Sequence, residues 1–179
     1  MMESIQCVSY KSAVGELIIA THGGEVCMID WKYRKMRKAI DQRISTALGA
    51  PLLESAPNQL QQQTIAWLHN YFVGDQSRFE IPFKMVGSAF QKEVWNALLE
   101  IERGCTISYI ELARKLGKPD AVRAVAAANG ANALSVVVPC HRVIGSDGQL
   151  VGYAGGLTAK TTLLELEGAR KPSLQISLF

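Results

Sequence analysis

The amino-acid sequence predicts an α+β unit built on a small antiparallel sheet, residues 1–86, followed by a mainly α unit containing a helix-turn-helix, residues 87–179. Three observations carry that reading. Apolar and polar residues alternate through the first thirty positions. Apolar residues recur at three- and four-residue steps through most of the remainder. Gly and Pro stand where one period gives way to the other.

The alternating stretch holds three strands, residues 5–10, 16–20 and 26–31, the last two joined by Gly23-Gly24, a pair suited to a tight hairpin. Met36, Ile40, Ile44 and Leu48 fall at four-residue steps and predict a helix over 33–48. After a loop with Pro51 and Pro57, a second helix over 58–73 puts Leu60, Thr64, Trp67, Leu68 and Tyr71 on one side and stops at Gly74. Residues 79–83 read as a further strand and 84–88 as a linker.

In the second unit Ser88 caps a helix holding Phe90, Val94, Leu98 and Ile101, with Gly104 past its end. Ser108 and Glu111 form a capping-box pair that opens a helix over 109–116. Gly117 ends that helix, and Pro119 begins the next, over 120–129. Two short helices joined by Leu116-Gly117-Lys118-Pro119 are a helix-turn-helix signature. The second is rich in alanine, so its backbone can approach either a neighbouring helix or a nucleic-acid groove closely, and the motif alone leaves both open. The tail, 170–179, contains Pro172 and has no clear period.

Composition excludes several classes. With 48% hydrophobic and 20% charged residues the chain is neither disordered nor fibrous. No apolar run is long enough to cross a bilayer, and the start, MMESIQCVSYKS, lacks the pattern of an export signal. A reducing cytoplasm is therefore expected, with Cys7, Cys27, Cys105 and Cys140 as free thiols. Net charge is only +3, but over residues 105–145 Arg114, Lys115, Lys118, Arg123 and Arg142 face only Glu111 and Asp120. That stretch suits a polyanion or an ordinary solvated helix face.

The chemistry concentrates at Pro139-Cys140-His141-Arg142, behind the β-branched run of Val136 to Val138. A nucleophilic thiol needs a base and a lowered pKa, and an adjacent His and Arg are common means of supplying both. On an extended segment successive side chains oppose one another, so His141 can serve Cys140 only through a turn or a bridging water. A buried Cys beside a surface His is the competing reading.

Pro139-Cys140-His141-Arg142-Val143 resembles the active-site motif of the O6-alkylguanine-DNA alkyltransferases, which repair DNA by moving an alkyl group onto their own cysteine. Asn132 stands eight residues before the Cys, as in that family. Tyr109, Arg123, the segment Gly152-Tyr153-Ala154-Gly155-Gly156 and Glu167, which the resemblance places in a last helix over 160–168, also fall on family positions, so the resemblance runs from about residue 88 to 168. It implies a ribonuclease H-like first unit and a winged-helix-like second one. It implies double-stranded alkylated DNA as partner, a monomer, no cofactor, and a single turnover per molecule.

The resemblance also implies roles. The alanine-rich helix, with Ala124 and Ala127, would enter the minor groove beside Lys118, and Arg123 would fill the place of the base swung out of the stack. Glu167 would orient His141, which would draw the proton from Cys140 through a water. Asn132 would brace the turn holding the Cys. The Tyr109 hydroxyl and the Ala154 N–H would stabilise the leaving guanine, and the carbonyls of Cys140 and Val143 would accept its amino group, with Tyr153 in the same loop. Family members often carry Ser where Ala154 stands, so hydroxyl help is absent here. O4-alkylthymine is an expected second substrate. Non-catalytic damage recognition, a helix-turn-helix regulator and a cysteine hydrolase are the competing functions; alkyltransferase-like recognition proteins lack the Cys that stands here at 140. Cys7, His22, Cys27 and His69 are too loosely spaced for a structural metal site, so none is expected. Cys105 is expected to be a small buried residue.

Overall fold

The computed structural model describes residues 4–171; Pro172 and the rest of the tail lie outside the described residues. Strands β1 (Ile5–Ser12), β2 (Gly15–His22) and β3 (Glu25–Trp31) pair antiparallel, and β4 (Leu52–Glu54) adds to β1 in parallel, giving the order β3-β2-β1-β4. The sheet is therefore mixed. A strand of three residues directly after Pro51 offers no alternation to read. Gly23 and Gly24 take φ of 58° and 78°, the left-handed conformation a two-residue hairpin turn demands. Residues 79–83 supply only an isolated bridge, Val26 to Phe83, in which Pro82 accepts from Val26 N but has no N–H of its own to extend a ladder.

Helix α1 (Arg37–Leu48) begins later than its apolar spacing suggests, because Arg34 turns back to pair with Asp30 and residues 32–36 form turns instead. Its Ile40 and Ile44 pack with Ile5, Cys7 and Met28 against one side of the sheet. Helix α2 (Gln59–Phe72), opened by an Asn58–Gln61 capping box, sends Leu68 and Tyr71 to the other cluster, with Leu17, Ile19 and Ile29. Full burial of each such side chain stabilises the fold by roughly 1.5–3 kcal/mol relative to exposure.

Helix α3 (Ala89–Leu99) is capped by Ser88 with Gln91, and α4 (Tyr109–Lys115) by the anticipated Ser108–Glu111 box. Gly117, at φ 67°, ends α4; a 3-10 turn (Pro119–Ala121) leads into α5 (Val122–Gly130), completing the helix-turn-helix. The two-residue strands β5 (Ile107–Ser108) and β6 (Val143–Ile144) pair in parallel beside it. Helix α6 (Gly156–Leu166) starts before residue 160 and leaves Glu167 as its C-cap rather than inside the helix.

Strand β3 is where the two halves interlock. Ile29 N donates to Ala133 O at 2.8 Å and Ile29 O accepts from Ser135 N at 2.7 Å. The Arg34 guanidinium binds buried Asp30 at 2.9 Å and donates to Asn132 O and Gly130 O. Leu17, Ile29 and Trp31 share one apolar core with Val94, Leu98, Leu134 and Leu163.

Candidate active site

The run Val136 to Val138 is a turn, not a strand. Val136 has φ 73°, a strained conformation for a β-branched residue, of order 1–3 kcal/mol. It is over-determined by Ser135 N bonding to Ile29 O and Val138 N to Leu134 O at 2.8 Å. The chain then closes into a 3-10 turn over Cys140–Arg142. In that turn Cys140, His141 and Arg142 point in three directions instead of alternating, so the imidazole is not laid on the thiol.

Cys140 is buried at the lining of a cleft of about 920 Å³. Asn132 fixes it: Nδ2 donates to Cys140 Sγ at 3.2 Å and to Val138 O at 2.9 Å, while Oδ1 accepts from Leu134 N. Burial pushes the thiol pKa up; the Asn132 hydrogen bond and the Lys160 charge pull the other way without prevailing. The resting group is a thiol and needs a base.

His141 is fully buried, with Nε2 3.0 Å from Glu167 Oε1, and no hydrogen bond joins the imidazole to Cys140. Burial lowers its pKa against the pull of Glu167, so the ring rests neutral and able to take a proton. Glu167 is held from three sides. Arg142 Nε reaches Oε2 and Nη2 reaches Oε1, each at 2.8 Å, and the Tyr71 hydroxyl donates to Oε1 at 2.6 Å. Burial alone would raise the carboxyl pKa; Arg142, then His141 and Tyr71, outweigh it and hold the group ionised far below the usual carboxylate range. Arg142 thus serves the carboxylate rather than the thiol it follows in sequence.

The cleft brings Cys140, Asn132, Tyr109, Arg123, Tyr153 and Ala154 together. Asn129 Nδ2 reaches Tyr109 Oη at 3.5 Å and Cys140 O at 3.4 Å. Arg123, Ala124 and Ala127 are exposed on α5, whereas Lys118 is engaged by Glu93 at 2.5 Å. Val143 is fully buried and does not line the cleft; its carbonyl accepts from Lys160 Nζ at 2.6 Å. Cys105 is exposed, contrary to expectation, because it sits in the turn after α3. Cys7, His22, Cys27 and His69 do not converge: among the described residues no three potential metal ligands cluster.

Four contributors escaped the sequence reading. Lys160 is fully buried and also donates to Val151 O at 2.9 Å and Gly152 O at 3.3 Å, pinning the loop before α6; burial brings its pKa down to about 8. Tyr71 reaches the site from α2. Arg34 holds the backbone around Asn132. Trp31 lies against Gly155, where a Cβ would come within 2.5 Å of the indole, and meets Tyr153 edge-on at 5.8 Å. Only Lys160 had a readable signal, a cation on the apolar face shared with Leu163 and Leu164.

Residues 5–85 match the family model described as 6-O-methylguanine DNA methyltransferase, ribonuclease-like domain, and residues 89–169 match that of its DNA binding domain. The chain is 42% identical over 163 residues to a methylated-DNA–protein-cysteine methyltransferase of Mycobacterium leprae, covering 91% of this chain and 92% of that one. A Methanosarcina acetivorans protein of the same name is 39% identical over 160 residues, covering 89% and 96%. The structure superposes on the crystal structure of Mycobacterium tuberculosis OGT in complex with DNA with a TM-score of 0.77 at 36% identity, covering 94% of this chain and 96% of that one. Among the described residues no helix is long and apolar enough to cross a membrane.

Proposed function

The chain belongs to the 6-O-methylguanine DNA methyltransferase family, and from that premise we propose that it repairs alkylated DNA by transferring the O6-alkyl group of guanine to Cys140. The observation that carries this is Cys140 itself: a thiol at a cleft that also holds Tyr109 and Arg123, backed by a neutral imidazole on an ionised carboxylate.

The alanine face of α5 enters the minor groove of duplex DNA, and Arg123 takes the place of the extruded base, its planar guanidinium stacking while it hydrogen-bonds. Lys118 first has to leave Glu93 to reach a phosphate. The flipped guanine enters the cleft with its substituent toward Cys140. His141, held through Nε2 by Glu167, draws the thiol proton through a water at its other nitrogen. The sulfur attacks the alkyl carbon, the S–C bond forms, and the C–O6 bond breaks with its electron pair left on guanine. The proton ends on N1 of the restored base. The Tyr109 hydroxyl and the Ala154 N–H meet the charge growing on the purine. The Cys140 carbonyl receives the guanine amino group; Val143 O, already engaged by Lys160, contributes less than the resemblance suggests. O4-alkylthymine fits the same chemistry.

The product is a thioether, which thiol exchange does not reverse. Each molecule therefore reacts once. The damaged base is itself the alkyl donor, so the step asks for no cofactor. Residues 1–86 support and residues 87–179 carry the chemistry, in a monomer acting in the cytoplasm.

Incubating the protein with duplex DNA bearing O6-methylguanine, then digesting and weighing the peptides, tests the proposal. One methyl group per molecule on the Cys140 peptide, lost in Cys140→Ala, is expected. Intact DNA binding with Cys140 unmodified would replace repair by damage recognition, and repeated turnover of an ester or amide would replace it by hydrolysis.

A further inference from the structure

The cleft is walled by Val14, Trp31 and Tyr33 of the first unit and by Tyr109, Arg123 and Asn129 of the helix-turn-helix. Asn129 stands near the end of α5, the helix that carries Arg123, and is only 6% exposed. An asparagine in a buried helical turn does little for the helix itself. Its neighbours on either side are held by distant donors. Trp95 Nε1 donates to Ala128 O at 2.8 Å, and Arg34 Nη2 donates to Gly130 O. The Asn129 side chain is therefore delivered to a fixed place in the cleft wall.

Its amide joins two groups that face the flipped base in the alkyl-transfer reading. Nδ2 donates to Tyr109 Oη at 3.5 Å and to Cys140 O at 3.4 Å, while Oδ1 is buried and meets no donor among the described residues. Both contacts are long, as catalytic hydrogen bonds often are before substrate closes on them. The Cys140 carbonyl can only accept, so turning the amide over would set two oxygens against each other. Nδ2 must therefore face Tyr109 as well, and the phenol oxygen must accept from it. The hydroxyl hydrogen is then turned away from Asn129 and left for the base. An oxygen that accepts one hydrogen bond donates its own hydrogen more strongly. Burial holds the Tyr109 pKa above its ordinary value, so that hydrogen is present at neutral pH. A buried acceptor without a partner is costly, and a purely structural amide has no reason to carry that cost.

We infer that Asn129 is a positioning residue that turns the Tyr109 hydroxyl into a donor toward the departing purine and ties that donor to the Cys140 backbone. This rests on the alkyl-transfer reading and deepens it. The bonds made and broken are unchanged: the S–C bond forms, the C–O6 bond breaks, and guanine keeps the electron pair and gains the thiol proton. What Asn129 sets is the direction of one hydrogen. With the amide in place it points at the purine as negative charge grows there; without the amide the hydroxyl rotates freely. The second lone pair of the Cys140 carbonyl stays available to the guanine amino group.

The test measures single-turnover methyl transfer from duplex DNA bearing O6-methylguanine over a range of DNA concentrations. Beside it runs alkylation by iodoacetamide, which has no purine to stabilise. Both are read as mass added to the Cys140 peptide. Asn129→Leu, close in size but without a donor, should lower the maximal transfer rate about 10- to 100-fold. The half-saturating DNA concentration and the iodoacetamide rate should each stay within about twofold of wild type. In a Tyr109→Phe background the same substitution should cost about twofold or less, because the hydroxyl it would misdirect is gone. Asn129→Ala, which suits the helix, carries the same expectations. An unchanged transfer rate, a loss shared equally by iodoacetamide, or an undiminished loss in Tyr109→Phe would overturn the positioning role, as would failure of both variants to fold. No methyl transfer by the wild-type protein would overturn the repair reading, and this role with it.

Discussion

Arg142 grips Glu167 with two parallel hydrogen bonds, Nε to Oε2 and Nη2 to Oε1, each 2.8 Å long. The carboxylate side chain is fully buried and the guanidinium nearly so. The motif's arginine therefore stands behind the imidazole of His141 rather than beside the Cys140 thiol, and its worth lies in keeping a charged carboxylate tolerable in the interior.

Replacing Arg142 by Ala leaves that charge uncompensated, and about 3–5 kcal/mol of stability is expected to be lost. Arg142→Lys should recover only part, because an ammonium cannot reproduce the two-pronged geometry. Denaturant unfolding of the three proteins measures the difference; equal stability would mean that Tyr71 and His141 suffice to hold Glu167.

The pH dependence of stability has two parts of known sign. The folded pKa of Glu167 is lowered, so its contribution is complete above the unfolded value, about 4.3, and fades as pH falls below that. The folded pKa of His141 is lowered too, so below about 6.5 the unfolded chain takes up a proton that the folded one refuses, and stability declines from there. Alkyl transfer should accordingly stay level as pH drops through 6.5. A rate profile with its midpoint at 6.5 would mean that the imidazole titrates as if in water.

Lys160 has the opposite window. With a folded pKa of about 8 against about 10.4 unfolded, its burial cost is full below 8 and is relieved as pH rises toward 10. Unfolding free energy should rise over that interval by roughly 1–3 kcal/mol more in the wild-type protein than in Lys160→Met. Parallel curves would place the ammonium in a better solvated setting than its burial indicates.

Arg123→Ala should slow repair of duplex DNA by roughly 10- to 100-fold, the scale of a lost base-stack filler, and leave reaction with free O6-benzylguanine little altered. The two rate constants are compared in single turnover. An equal loss on both substrates would give Arg123 a role inside the cleft instead of in the stack.

Gly155→Ala drives a Cβ to within 2.5 Å of the Trp31 indole. Overpacking of this kind costs about 1–3 kcal/mol. Adding Trp31→Leu should recover part of that loss, and the coupling is read from a double-mutant cycle of unfolding free energies. Strictly additive effects would mean that the loop and the indole yield independently.

The sequence alone determined the features that depend on local chemistry. Alternation made the three hairpin strands legible, Ser108 with Glu111 started α4 where expected, and Gly117 stopped it. Cys140 stood out by the imidazole and guanidinium beside it in sequence, whereas Asn132 and Glu167 were pointed to by the family resemblance alone. Local signals failed wherever distant contacts outweigh local preference. Val136 to Val138 is a β-branched run and yet forms a strained turn, because Ile29 and Leu134 supply the bonds that hold it. The start of α1 moved because Asp30 draws Arg34 away from the helix. β4 is too short to have a period. Only the tertiary structure decided that Arg142 and Tyr71 converge on Glu167, that Lys160 is a buried clasp, and that the first unit walls the cleft. Those relationships join positions far apart in the chain, and their energy comes from desolvating partners that no local pattern of residues records.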